Sequence, residues 1–146
     1  MFSNIVVGTD GSGTSRKAVA LAADLARQHG AVLHLVNAYK IPSMHAASGL
    51  AGPIPAPTED MSPEALMESS KDLLDEVAGT LEGLKVESHS VLGSAVEVVI
   101  SVAESVDADV IVVGSKGMRG ARRMIGSVPN SIAHRAPCHV LIAKTA

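Results

Sequence analysis

Short apolar runs alternate with longer stretches of helical periodicity along the chain, and this alternation restricts the fold more than any other feature. Strand-like segments fall at about residues 4–9, 32–38, 85–91, 109–113 and 138–143. The run Val110-Ile111-Val112-Val113 has no polar alternation, which is how a parallel strand covered on both faces reads. Between the runs, residues 14–29 carry Ala18, Leu21, Ala22 and Leu25 on one helical face and stop at Gly30, a C-cap glycine. Ser62-Pro63-Glu64 opens a second helix that should reach about Gly83. Ser94 and Glu97 form a capping box ahead of the stripe Val96, Val99, Ile100 and Ala103, and a last helix covers residues 128–135. Strands alternating with helices predict an α/β fold: a single open, doubly wound, parallel five-stranded sheet with helices on both faces. Strand three alternates with polar residues, as an edge strand does. Residues 41–61 hold Pro42, Pro53, Pro55, Pro57, Gly49 and Gly52, too many breakers for a regular element, and read as an irregular loop or lid.

The fourth strand runs straight into Gly114-Ser115-Lys116-Gly117, then Met118 to Ile125, then Gly126-Ser127. In an open parallel sheet, the C-terminal ends of strands at the topological switch point are where ligands bind. Glycine lets the backbone approach an anionic group closely, and the start of a helix supplies unpaired N–H groups and positive potential. Lys116, Arg119, Arg122 and Arg123 add cations to the same loop, so the combination points to phosphate. The spacing fits neither the P-loop pattern, which closes on Gly-Lys-Ser/Thr, nor the dinucleotide pattern.

Gly-two residues-Gly-nine residues-Gly-Ser/Thr is the nucleotide signature of the ATP-binding universal stress proteins, and the chain resembles that family. Here the second interval, Met118 to Ile125, holds eight residues, one fewer than the usual pattern. Ile5-Val6-Val7-Gly8-Thr9-Asp10-Gly11-Ser12, Gly93 and the ending Ala136-Pro137-Cys138-His139-Val140-Leu141-Ile142 carry the resemblance across almost the whole chain. It implies one domain over residues 1–146 and the strand order 3-2-1-4-5, so that Gly8, Thr9 and Asp10 face Gly114-Ser115-Lys116-Gly117 across one crevice, with Val113 at the end of strand four also in the site. It further implies that ATP is bound there. Asp10 would take ribose hydrogen bonds or hold Mg²⁺ through water, and Asn37 and Ala38 would offer backbone groups to adenine. Gly117, Met118, Arg119, Gly120, Arg123, Gly126, Ser127 and Val128 would surround the phosphates. A homodimer through the last strand, residues 138–143, completes what the resemblance implies. The leading expectation is a nucleotide-binding stress regulator, read as cytoplasmic from the single cysteine and the lack of an expected leader.

Composition limits the alternatives. A net charge of −3 and 1% aromatic residues leave neither a general basic surface nor stacking platforms for nucleic acid. No apolar run approaches the roughly 20 residues that span a bilayer, and no leader is expected ahead of the first strand. Cys138 cannot form an internal disulfide as the only cysteine, and it reads as a buried structural thiol in an apolar strand. The six histidines, His29, His34, His45, His89, His134 and His139, show no metal-ligand spacing along the chain and read as structural. No nucleophile elbow or catalytic carboxylate pair accompanies them, so ATP hydrolysis, if any, is expected to be slow. The residues have bland readings too: Asp10 as a turn former, Ser127 as an ordinary N-cap, the arginines as a solvated face. A cyclic AMP-binding protein, an ATPase or nucleotide transferase, and a nucleotide-free structural dimer stand as alternatives to the ATP-binding regulator.

Overall fold

The computed structural model describes residues 1–41, 62–115 and 127–145. Five strands, β1 (Asn4–Gly8), β2 (Val32–Tyr39), β3 (Val86–Leu92), β4 (Val110–Gly114) and β5 (His139–Ala143), pair in parallel in the order β3-β2-β1-β4-β5. Four helices, α1 (Gly13–His29), α2 (Pro63–Gly79), α3 (Ala95–Ser105) and α4 (Val128–Arg135), connect them among the described residues. The expected sheet and its order are therefore present.

Strand periodicity divides the interior into two cores. Ile5 and Val7 of β1, Leu33 and Leu35 of β2, and Val110 and Val112 of β4 pack with Ala18, Ala22 and Ala26 of α1 and Leu74 and Val77 of α2. The intervening residues Val6, Val36 and Ile111 point the other way, into Val98, Val99, Val102 and Ala103 of α3 and Ile132 of α4. β1 and β4, buried on both faces, have no polar side to show, which is why Ile5-Val6-Val7 and Val110-Ile111-Val112 are continuously apolar, whereas β2 carries the buried His34. The alanines of α1 let that helix lie close to the sheet, whereas Leu21 and Leu25 are only partly buried at its flank.

Several boundaries differ from the sequence reading, each for a local reason. The second helix ends at Gly79 rather than Gly83, because the Thr80 hydroxyl donates to the Val77 carbonyl at 2.7 Å and closes the last turn. Gly83, at φ 73°, serves instead in the left-handed turn that leads into β3. Only half of the capping box on α3 exists. Ser94 Oγ accepts from the Glu97 N–H at 3.3 Å, but the Glu97 carboxylate reaches out to Arg135 of α4 at 2.7 Å. Arg135 draws the Glu97 carboxyl below its usual range and is itself held more firmly protonated. Cys138 falls one residue before β5, half-buried, and burial followed by the Asp109 charge pushes its thiol up, away from reactivity.

Candidate functional site

The sheet order reverses direction between β1 and β4, and the loops leaving their C-terminal ends part to form a crevice of about 550 Å³. Gly8, Thr9 and Asp10 border it from β1, Asn37 and Ala38 from β2, Val113 and Gly114 from β4, and Val128 from α4. These are residues singled out from the sequence, and the fold brings them together. Val36, Val99 and Ile132 add an apolar wall suited to a flat ring. Ser115 and Ser127 are not in the lining: Ser115 follows Gly114 and accepts from the lining Thr145, and Ser127 immediately precedes Val128. Gly117, Met118, Arg119, Gly120, Arg123 and Gly126 lie outside the described residues, as do Lys116, Arg122 and residues 42–61.

One side of the crevice is the turn from β1 into α1, and most of its polar groups are paired internally, with the exposed Asp10 carboxylate keeping free acceptor capacity. The Asn37 side-chain amide donates to the Thr9 carbonyl at 2.7 Å, while the Thr9 N–H donates to the Val36 carbonyl at 2.9 Å. Thr9 Oγ1 accepts from the Gly11 N–H at 3.1 Å, and Asp10 Oδ1 accepts from the Ser12 N–H at 2.9 Å. Gly11 sits at φ 79°, a conformation that a side chain would strain, and an added Cβ would come within 3.1 Å of Leu73. Ser12 then caps α1 by accepting from the Ser15 N–H at 3.2 Å. Behind Asn37, Ser70 of α2 donates to its carbonyl oxygen and Ser90 of β3 donates to Ser70, both at 2.6 Å. Asn37 thus acts through its side chain, as the strut that holds the Thr9-Asp10 turn. Burial works to raise the Asp10 carboxyl, but the Ser12 hydrogen bonds, assisted by Ser15, outweigh it and hold it below its usual range. Asp10 is therefore ionised at neutral pH.

The other side is different. Ser127 occupies the N-cap position of α4 with extended backbone, yet its side chain makes no cap bond. Its Oγ is buried and has no hydrogen-bond partner among the described residues. Pro129, at the second helical position, brings no N–H of its own. This helix start presents a dipole end beside the cavity, together with a hydroxyl that has no partner among the described residues. Next to it, Thr145 is 2% exposed and donates its N–H to Ser115 Oγ at 3.0 Å. A Cβ on Gly114 would meet Thr145 Cγ2 at 3.1 Å, a tight contact, so glycine eases the close packing there.

Val36 and Ile132 of the apolar wall were not singled out from the sequence, and neither were two groups of polar lining residues. Ser12, Thr14 and Ser15 at the start of α1 line the crevice, and the capping serine in the family-like opening was their only signal. Thr145 carries no motif and enters through the close approach of the chain end to Gly114. Asp10 is the only titratable side chain among the described lining residues, so they supply a charged acceptor but no acid–base pair.

The model of the universal stress protein family matches residues 1–144. The chain belongs to the universal stress protein family. A universal stress protein of Mycobacterium tuberculosis is 31% identical over 145 residues, covering 99% of this chain and 97% of its own length. Universal stress protein A homolog 1 of Coxiella burnetii is 27% identical over 140 residues, covering 96% and 94%. Among solved structures, a universal stress protein in complex with cAMP aligns with a TM-score of 0.78 and 28% identity over 99% of both chains. A family structure from Archaeoglobus fulgidus, in complex with dAMP, shares the fold at a TM-score of 0.67 with 23% identity, covering 97% of this chain and 98% of its own.

Proposed function

We propose that this chain binds an adenine nucleotide, ATP first, in the β1–β4 crevice and works as a nucleotide-dependent stress regulator of the cytoplasm rather than as an enzyme. The observation that carries the reading is the N-terminus of α4. Its buried serine hydroxyl lacks a partner among the described residues and lies next to a cavity with an apolar wall. A phosphate there would accept the Ser127 hydroxyl and the helix-start N–H groups, and the apolar wall of Val36, Val99 and Ile132 would take the base. Asp10, ionised and exposed, would take ribose hydroxyls or a Mg²⁺ ion through water. Turnover would need a group that aims and deprotonates an attacking water, and the described lining offers the Asp10 carboxylate for ribose instead. At the sheet edge, Leu141 and Ile142 of β5 are 37% and 40% exposed, and pairing with a second β5 would cover them in a homodimer.

Cyclic AMP is the second reading, favoured by the solved relative that holds cAMP at 28% identity across its whole length. The deciding experiment is to purify the protein without added nucleotide, identify any released small molecule by mass spectrometry, and titrate the stripped protein with ATP and cyclic AMP, with and without Mg²⁺. Tighter ATP binding that strengthens with Mg²⁺ supports the triphosphate; a cyclic AMP preference replaces it; binding of neither overturns the nucleotide reading.

A further inference from the structure

Away from the crevice, the pairing of β2 with β3 assembles a cluster that linear spacing does not show. His34 lies opposite Glu87, and Val36 opposite His89, so the three polar side chains share the sheet face that carries Val6 and Val36. His34 is 2% exposed within a central strand, Glu87 has a half-exposed side chain, and His89 is intermediate. His34 Nδ1 lies 3.0 Å from His89 Nε2 and 3.5 Å from Glu87 Oε2, and the three donor atoms all fall within 4.8 Å of one another. Donor atoms around a tetrahedral zinc ion, each at about 2.0–2.1 Å, stand about 3.3 Å apart. Small side-chain adjustments would bring all three onto one ion.

We propose that His34, Glu87 and His89 form a binding site for a first-row divalent cation, Zn²⁺ foremost, with Asn4 as its positioning residue and a solvent-facing fourth position for water. Two imidazoles and a carboxylate are the donor set that zinc favours, and they leave the position open that the exposed side of Glu87 borders. Asn4 Oδ1 stands 3.0 Å from His34 Nε2, and a carbonyl oxygen only accepts. The proton of His34 therefore sits on Nε2, and Nδ1 turns its lone pair toward the cluster. This is the outer-shell arrangement that fixes the tautomer of a metal-ligating histidine. Burial keeps both imidazoles below their ordinary pKa, reinforced at His34 by His89 and opposed at both by Glu87, so both rings are neutral at pH 7. In the metal-free state, His89 Nε2–H donates to His34 Nδ1. Cation binding then requires only that the His89 proton move to Nδ1, with no net change in ring charge. The bound ion would tie the edge strand β3 to β2 and leave the nucleotide crevice untouched.

The test uses untagged protein stripped with a chelator, titrated with Zn²⁺ by calorimetry and with Co²⁺ by visible absorption, in the wild type and in His89→Gln, Glu87→Gln and Asn4→Ala. Circular dichroism checks that each variant folds. The expected result is one cation per chain, a higher melting temperature with Zn²⁺, and cobalt ligand-field bands. His89→Gln should weaken binding by at least about a hundredfold and Glu87→Gln by at least about tenfold. Asn4→Ala should weaken it about tenfold and shift the cobalt spectrum while stoichiometry stays at one. Absence of saturable binding to the wild type overturns the site, as does equal affinity in folded His89→Gln and Glu87→Gln.

Discussion

Two helices begin at the same crevice, and they begin differently. At α1, Ser12 caps the third N–H, Asp10 takes the Ser12 N–H, Thr9 takes the Gly11 N–H, and Asn37 holds the Thr9 carbonyl. At α4, the capping-position serine is buried with no cap bond, and a proline follows at the second helical position. The first start is complete as a piece of folding; the second has a polar atom that costs free energy unless something meets it. In the same chain, Ser12, Ser62 and Ser94 all cap their helices with their side chains, so the exception at Ser127 is a property of its position rather than of serine. Among the described residues the two starts differ in which hydrogen bonds they leave open, and the proposed ligand site rests on that difference.

The largest expected effect breaks the completed side. Asn37→Ala removes the donor to the Thr9 carbonyl and the acceptor of the Ser70 hydroxyl at once. Unfolding in urea should show a loss of about 2 kcal/mol, the cost of leaving partly buried polar groups unpaired. Nucleotide affinity should fall with it, because Asp10 rides on the turn that Asn37 fixes. A midpoint unchanged from wild type would mean that water replaces the amide and that the strut is dispensable.

The contrast between the two helix starts is sharpened by making one substitution at each. Ser12→Ala deletes a working cap and should cost about 1 kcal/mol of stability with little change in nucleotide affinity. Ser127→Ala deletes a hydroxyl that caps nothing, so the melting temperature should hold, while affinity for ATP should drop about tenfold through loss of one hydrogen bond to a charged group. Melting curves and titrations of the two proteins give a crossed result if the distinction is right. Equal losses of stability in both would make Ser127 an ordinary cap.

Much of this architecture was readable because strands buried on both faces and helices with apolar stripes leave strong periodic signals. The apolar run at Val110 to Val113 and the serine caps at Ser62 and Ser94 are local features, and they appear where local reasoning puts them. The strand order came from family resemblance, since periodicity does not say which strand lies beside which. What escaped depends on register or on chain approach. His34 and His89 meet because β2 and β3 align Leu33 with Val86, a pairing across 53 positions that no spacing along the chain encodes. Thr145 joins the crevice because Gly114 leaves room for it. Glu97 satisfies the capping-box pattern, yet Arg135 of a neighbouring helix outcompetes the helix's own N-cap for its carboxylate. The end of α2 was missed because Gly83 looks like a C-cap glycine, although Thr80 had already closed the helix.

The smallest effect concerns acid, and it asks whether the α1 start is held by charge or by geometry. The Asp10 carboxyl, held below its usual 3.8 by the Ser12 hydrogen bonds against the opposing effect of burial, stabilises the fold more when ionised than when protonated. That contribution is fully present above the unfolded-state value and is lost as pH falls through the lower, folded value. Asp109, at the opposite end of β1, follows the same sign: its carboxylate accepts from the Asn4 and Ser3 N–H groups at 2.9 and 2.6 Å, which lower its pKa from 3.8. Melting temperatures measured from pH 6 down to about pH 3 should therefore fall less steeply in Asp109→Asn than in wild type, and slightly less steeply in Asp10→Asn. Both side chains stay in contact with water, so each difference should remain below about 1 kcal/mol. Asparagine can still accept the Ser12 N–H, so Asp10→Asn should keep the turn and its stability at neutral pH while weakening any Mg²⁺-dependent part of nucleotide binding. A large loss of stability at pH 7 would instead show that the carboxylate charge, and not the turn geometry, completes the α1 side of the crevice.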